Sequence, residues 1–151
     1  MGIKTTTTKG AVYSADGGNG SIYIDRMTGV DSTNVDSGDQ LKLCLVPGGT
    51  LVHRVVTKTP DLDTAADSSA TLTAAIGFYS KADGSALDSV AVQADGSFGR
   101  TSTANTIDIF PPYEVTEDAY LTITFGTAAA TKTGGDGIVY AKVEGETLGV
   151  K

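Results

Sequence analysis

The side chains that could do covalent chemistry in this sequence are few, and their settings argue against it. His53, the single histidine, lies in TLVHRVVTK, a β-branched run whose alternation puts Leu51 and Val55 on its own face. A general base there needs a nucleophile from another strand. The sequence contains no G-x-S-x-G turn, no H-E-x-x-H helix and no second histidine, so His53 reads as a packed or interfacial residue. Cys44, the single cysteine, stands between Leu43 and Leu45, where burial raises a thiol's pKa and keeps it inert. One Cys and one His frame neither a disulfide nor a zinc site.

The carboxylates form three groups. Asp61, Asp63 and Asp67 fall in DLDTAAD, and Asp31, Asn34, Asp36 and Asp39 in DSTNVDSGD. Calcium takes several carboxylate and carbonyl oxygens from loops of this kind, but neither loop has the glycine and distal glutamate of an EF-hand. Both are expected to be solvated acidic loops. Glu114, Glu117 and Asp118 could pair for glycoside hydrolysis, yet they flank a proline corner at a strand entrance, which favours a turn role. Sugar stacking needs exposed aromatic rings. There is no Trp, and Tyr23, Tyr79, Tyr120 and Tyr140 sit in strand patterns, leaving Tyr13 and Tyr113 free. We expect no catalytic residue, no cofactor and no metal.

The elements that must position these groups are strands. Gly at 19 residues of 151, with 22 Thr and 11 Ser, is a composition of short strands and tight turns. Residues 1–20 read as an N-terminal arm with one anchoring segment at 11–13, expected to be mobile or extended away from the body. Residues 21–151 read as one β domain. Residues 21–24 are β-like and 31–39 a loop. In residues 41–46, Leu41, Leu43 and Leu45 alternate with Lys42, Cys44 and Val46. Pro47, Gly48 and Gly49 turn the chain, so residues 50–58 are expected to form a hairpin with the preceding strand.

Residues 71–80 place Leu72, Ala74, Ile76 and Phe78 on one face. Asp83-Gly84 and Asp95-Gly96 bracket a weaker strand at 89–93. A strand at 105–110 should be closed by Pro111 and Pro112, which cannot donate ladder hydrogen bonds. Leu121, Ile123 and Phe125 alternate with Tyr120, Thr122 and Thr124 without ambiguity of period, and Val139, Ala141 and Val143 share one side. About eight evenly spaced strands predict an all-β fold, an antiparallel β-sandwich. A jelly roll is expected, with an immunoglobulin-like sandwich the alternative.

Charge narrows the partners. A net charge of -7 with 11 Lys and Arg argues against sequence-independent nucleic-acid binding. No apolar run approaches the ~20 residues of a membrane-spanning helix, and the opening MGIKTTTT has no secretory apolar core. No nucleic acid and no membrane are expected as partners.

The succession GDQLKLCLVPGGTLVHRVV (residues 38–56), ATLTAAIGFYS (70–80), PPYEVTEDAYLTITFGTAAAT (111–131) and GIVYAKVEGE (137–146) resembles the decoration, or cement, proteins of tailed double-stranded-DNA bacteriophages. The resemblance covers roughly residues 38–146 and rests on strand, turn and loop patterns. It implies a non-enzymatic virion protein, made in the host bacterial cytoplasm, that sits on the outer capsid surface. There it would bridge neighbouring subunits of the major capsid protein. It also implies a homo-oligomer, a trimer being favoured and a dimer possible, whose N-terminal arm could add a strand to a neighbour's sheet. The alternative from another class is a carbohydrate-binding or host-adhesion module of a fibre or tail tip; a small hydrolase would need a nucleophile beside His53.

Overall fold

The computed structural model describes residues 2–5, 11–14, 20–66, 68–102, 104–132 and 137–148. Ten strands run in chain order among them: β1 (Ile3–Thr5), β2 (Ala11–Ser14), β3 (Gly20–Thr28), β4 (Gln40–Val46), β5 (Thr50–Lys58), β6 (Thr73–Ser80), β7 (Ala86–Gly96), β8 (Asn105–Val115), β9 (Ala119–Thr127) and β10 (Ile138–Thr147). They form two five-stranded sheets, ordered β1-β4-β9-β6-β7 and β2-β3-β10-β5-β8. The protein is a β-sandwich. All described pairings are antiparallel except β1 with β4.

The strongest alternations fill the space between the sheets. Leu121, Ile123 and Phe125 of β9, Ala74, Ile76 and Phe78 of β6, and Val139, Ala141 and Val143 of β10 are all buried. Each large side chain removed from water contributes ~1.5–3 kcal/mol.

Where expectation and structure part, an extra residue or an open edge is the cause. Residues 41–46 do not alternate to their end. The β4–β9 register shifts between Leu43 and Leu45, so Cys44 and Val46 are buried while Leu45 turns out to 37% exposure. Strand β5 forms no hairpin with β4. It pairs with β10 and β8 in the other sheet, because Pro47-Gly48-Gly49 carries the chain across the sandwich. The corner is tight: a Cβ on Gly48 would stand 2.8 Å from Glu117 Cα, and Gly49 has φ +82.

Strand β8 runs through Pro111 and Pro112 instead of ending at them. It is the outer strand of its sheet, and its register jumps from Asp108 opposite Arg54 to Tyr113 opposite Val52. Ile109, Phe110, Pro111 and Pro112 therefore bulge out opposite His53 alone. No ladder bond is asked of the prolines, which is why an edge tolerates them. The Phe110–Pro111 peptide is cis.

The N-terminal segment also departs from expectation in its described parts. Strand β1 lies along β4, where the Gln40 N–H donates to the Gly2 carbonyl at 3.0 Å, and β2 lies along β3. Both provide main-chain partners for sheet edges that would otherwise be open. The remaining arm residues lie outside the described residues.

Strand β7 is longer than the expected 89–93 and forms a hairpin with β6, its register jumping from Asp88 opposite Phe78 to Gln93 opposite Ile76. Residues 89–92 thus bulge over Gly77, where a Cβ would stand 2.2 Å from the Asp88 carbonyl oxygen and 2.3 Å from the Ser89 carbonyl carbon. Gly77→Ala should therefore lower stability by ~1–3 kcal/mol through overpacking, read as a shift of the urea midpoint. An unchanged midpoint would contradict this seating of β7.

Candidate functional site

Asp63 is the carboxylate with the fullest set of partners, and all of them are main chain. It is buried. Its Oδ2 accepts the N–H groups of Thr71 at 2.8 Å and of Leu72 and Ala130 at 3.0 Å, and its Oδ1 those of Thr131 at 3.1 Å and Ala65 at 3.3 Å. Burial alone would push this carboxyl's pKa up, but the converging N–H groups outweigh it and hold the group well below the usual carboxylate range. The β5–β6 and β9–β10 connections are thereby tied to one anion. This corrects the expectation of a solvated acidic loop at Asp63. Asp61 remains exposed and accepts the Asp63 N–H at 3.2 Å; Asp67 lies outside the described residues.

The second acidic loop is occupied with its own backbone. Asp31 caps the 3-10 turn Ser32–Asn34, accepting the Thr33 N–H at 2.8 Å while its own N–H donates to Asn34 Oδ1 at 3.3 Å. Asp39 accepts the Asp36 N–H at 2.8 Å, and Asp36 pairs with Lys132. Among the described residues no group of three or more His, Cys, Asp or Glu is placed to hold a metal ion. Glu114 and Glu117 are exposed, and Asp118 accepts the Gly48 N–H at 3.1 Å, a contact that holds the β4–β5 turn.

His53 is the residue of β5 left unpaired by the register shifts towards both β10 and β8. The shift separates it from Val55, which is buried while His53 stays half-buried, so the two do not share a face as alternation predicted. Its Nε2 lies 3.2 Å from Glu146 Oε1, a distance that suits an ion pair when the ring is protonated, although the approach makes no hydrogen bond. No described hydroxyl or thiol is bonded to it. Cys44 is far from such use. Its Sγ reaches across the core to the carbonyls of Tyr23 at 3.6 Å and Ala141 at 3.5 Å, and burial pushes its pKa up.

Tyr113, expected to be free, is not: its ring stacks on buried Phe78 with centroids 5.2 Å apart and planes 2° from parallel. Tyr13 lies in β2. Beyond Tyr113, a charge row crosses the outer face of the second sheet. Arg54 Nε meets Asp108 at 2.5 Å and its Nη1 lies 3.7 Å from Glu144, which Lys142 approaches at 2.5 Å.

What the molecule presents outward is an edge. Strands β7 and β8 end their respective sheets and approach one another, Asn105 Nδ2 donating to Gln93 Oε1 at 2.6 Å. Both bulge, and each bulge carries an apolar residue into solvent, Val90 at 50% and Phe110 at 94% exposure. Sequence reasoning missed Phe110, although strict alternation from Thr106 and Asp108 already placed it on the outward face.

No protein-family model matches this chain. No curated protein matches it either. Solved structures do. A chain in "Capsid of Ralstonia phage GP4" superposes with a TM-score of 0.73 at 16% identity over 99% of both chains. A chain in "Cyanophage Pam1 capsid asymmetric unit" gives 0.66 at 22% identity over 93% of both. A chain in the acid-stable capsid structure of Helicobacter pylori bacteriophage KHP30 gives 0.51 at 11% identity, covering 83% of this chain and 86% of that one. At these identities the likeness is one of fold.

Asp63→Asn should cost ~2–4 kcal/mol near neutral pH, because it removes the charge from several backbone hydrogen bonds. A depressed carboxyl pKa stabilises the fold above the unfolded value of about 3.9, and that contribution is lost as pH falls below it. The gap between wild type and Asp63→Asn in urea titrations should therefore narrow below about pH 4. A gap that is constant down the acid series would contradict the assignment.

Proposed function

We propose that this chain is a structural protein of a phage virion, a cement or decoration protein on the outer surface of the head that bridges neighbouring major capsid subunits. The observation that carries this reading is the likeness of fold, over 99% of both chains, to a chain in a phage capsid structure. Two further capsid structures support it at lower similarity. The strand order β3-β10-β5-β8 facing β4-β9-β6-β7 supports reading the sandwich as a jelly roll, with β1 and β2 added at its edges.

The side-chain chemistry agrees. Asp31, Asp39, Asp63 and Asp118 accept backbone N–H groups of loops and turns, and His53 has no nucleophile beside it among the described residues. A protein that acts by contact needs shape, soluble surfaces and repetition. Small contacts repeated on a lattice multiply by effective concentration, and a net charge of -7 per chain keeps neighbouring oligomers apart. A homo-oligomer, a trimer in preference to a dimer, suits the threefold positions of such a lattice. The adhesion-module alternative loses a candidate sugar platform, since Phe78 covers one face of Tyr113.

The direct test mixes purified protein with heads that lack it. Saturable co-sedimentation, with treated heads surviving heating that breaks untreated ones, is expected. Failure to co-sediment, together with binding to host-surface glycan, would transfer the reading to adhesion.

A further inference from the structure

We infer that Phe110 is the knob of a head-to-tail contact between copies of this chain, and that its socket is the hollow between β7 and β8 of the next copy. The virion reading supplies the motive for self-assembly, but the contact rests on geometry of its own.

Phe110 is 94% exposed. A phenylalanine ring carries 150–250 Å² that favours burial, and nothing among the described residues covers this one. It stands on a bulge anchored at both ends: Ile109, its first residue, and Tyr113, just beyond its last, are partly buried and packed against the core, with Pro111 and Pro112 between. Bulges re-aim side chains and occur at sheet edges. The result is a braced apolar projection.

The hollow lies along the same edge. It has a volume of about 270 Å³ and is lined by Gln93, Ser97, Phe98, Gly99, Thr101 and Asn105, among others. A cavity of ~150 Å³ suffices for benzene, so a phenylalanine ring with part of a proline is of the right size. The polar chemistry also matches. Pro111 and Pro112 have carbonyl acceptors and no N–H, whereas the hydroxyls of Ser97 and Thr101 and the amides of Gln93 and Asn105 can donate. Phe98 and Ala104 are the apolar members of a lining that is otherwise mainly polar.

Charge selects this arrangement over a knob-to-knob dimer. Glu114 flanks the knob and is exposed, while Asp108 is paired with Arg54; across a twofold axis the two Glu114 carboxylates would face one another and repel. Among the described residues the lining of the hollow carries no charge, which sets it apart in a chain with 18 acidic residues. Asn105 and Phe110 are five positions apart on β8, at most ~17 Å along an extended strand, with the ring pointing to solvent. Phe110 is not among the residues that line the hollow, and its ring is 94% exposed, so ring and hollow are separate surfaces of one edge. Contacts between unlike surfaces are heterologous and close into a ring when the rotation allows.

The test uses sedimentation of the full chain with two variants at exposed positions. Phe110→Ser removes the knob and Ser97→Trp fills the socket. Wild type should sediment as a closed oligomer. Each variant alone should be monomeric with an unchanged circular dichroism spectrum, its self-association weakened ~30-fold or more. An equimolar mixture should form a species of two chains, one intact knob in one intact socket, and no ring. A monomeric wild type, a Phe110→Ser variant that keeps the wild-type mass, or a mixture that stays monomeric would each overturn the contact. None of these outcomes decides head binding, which the co-sedimentation of wild type reads separately.

Discussion

One buried anion, the carboxylate of Asp63, holds together two connections that the sandwich cannot do without. Between β3 and β10 every connection except β6–β7 changes sheet, so the chain repeatedly crosses between layers. Crossing segments bring backbone N–H groups to places where no ladder satisfies them. Asp63 answers for residues 65, 71, 72, 130 and 131. An oxygen-rich loop of this kind could have been a cation site; here the oxygens face donors of the chain itself. The anion fixes where β6 begins and how the segment after β9 runs.

The two sides of the sandwich have unlike edges. On one side the terminal strands are β1 and β2, only three and four residues long, and so short an edge strand is a poor template for unwanted pairing. The opposite edges belong to β7 and β8, and both are bulged where one residue of the neighbouring strand, Gly77 or His53, faces four. A bulged edge cannot accept a flat strand along its length. It can present individual side chains, and Val90 and Phe110 are the ones presented.

How much of this was legible in the sequence follows from where the information lies. The alternations of β6, β9 and β10 were readable because each of these strands turns a consistent face to the core. The misplacements of Leu45 and His53 came from single inserted residues, which shift a face without altering composition. Adjacency in sequence suggested a β4–β5 hairpin, but Pro47-Gly48-Gly49 serves a corner between sheets as well as a turn within one. The prolines were read as a stop because β8's position at an edge is not written in β8. Asp63 looked solvated because its donors lie in residues up to 68 positions away. The alternation of Thr106, Asp108 and Phe110 already pointed the ring outward, but the bulge opposite His53 that lifts it clear of the sheet is set by register and is not written in β8.

On the proposed function the chain belongs to a phage shell and acts there through its edges. Electron cryo-microscopy of the assembled particle encoded together with this chain shows where it sits. Density for this sandwich is expected on the outer face of the head, repeated over the lattice, with β7 and β8 turned towards the next copy. A head whose outer face lacks the sandwich, with the chain found at the tail or missing from the particle, would contradict it.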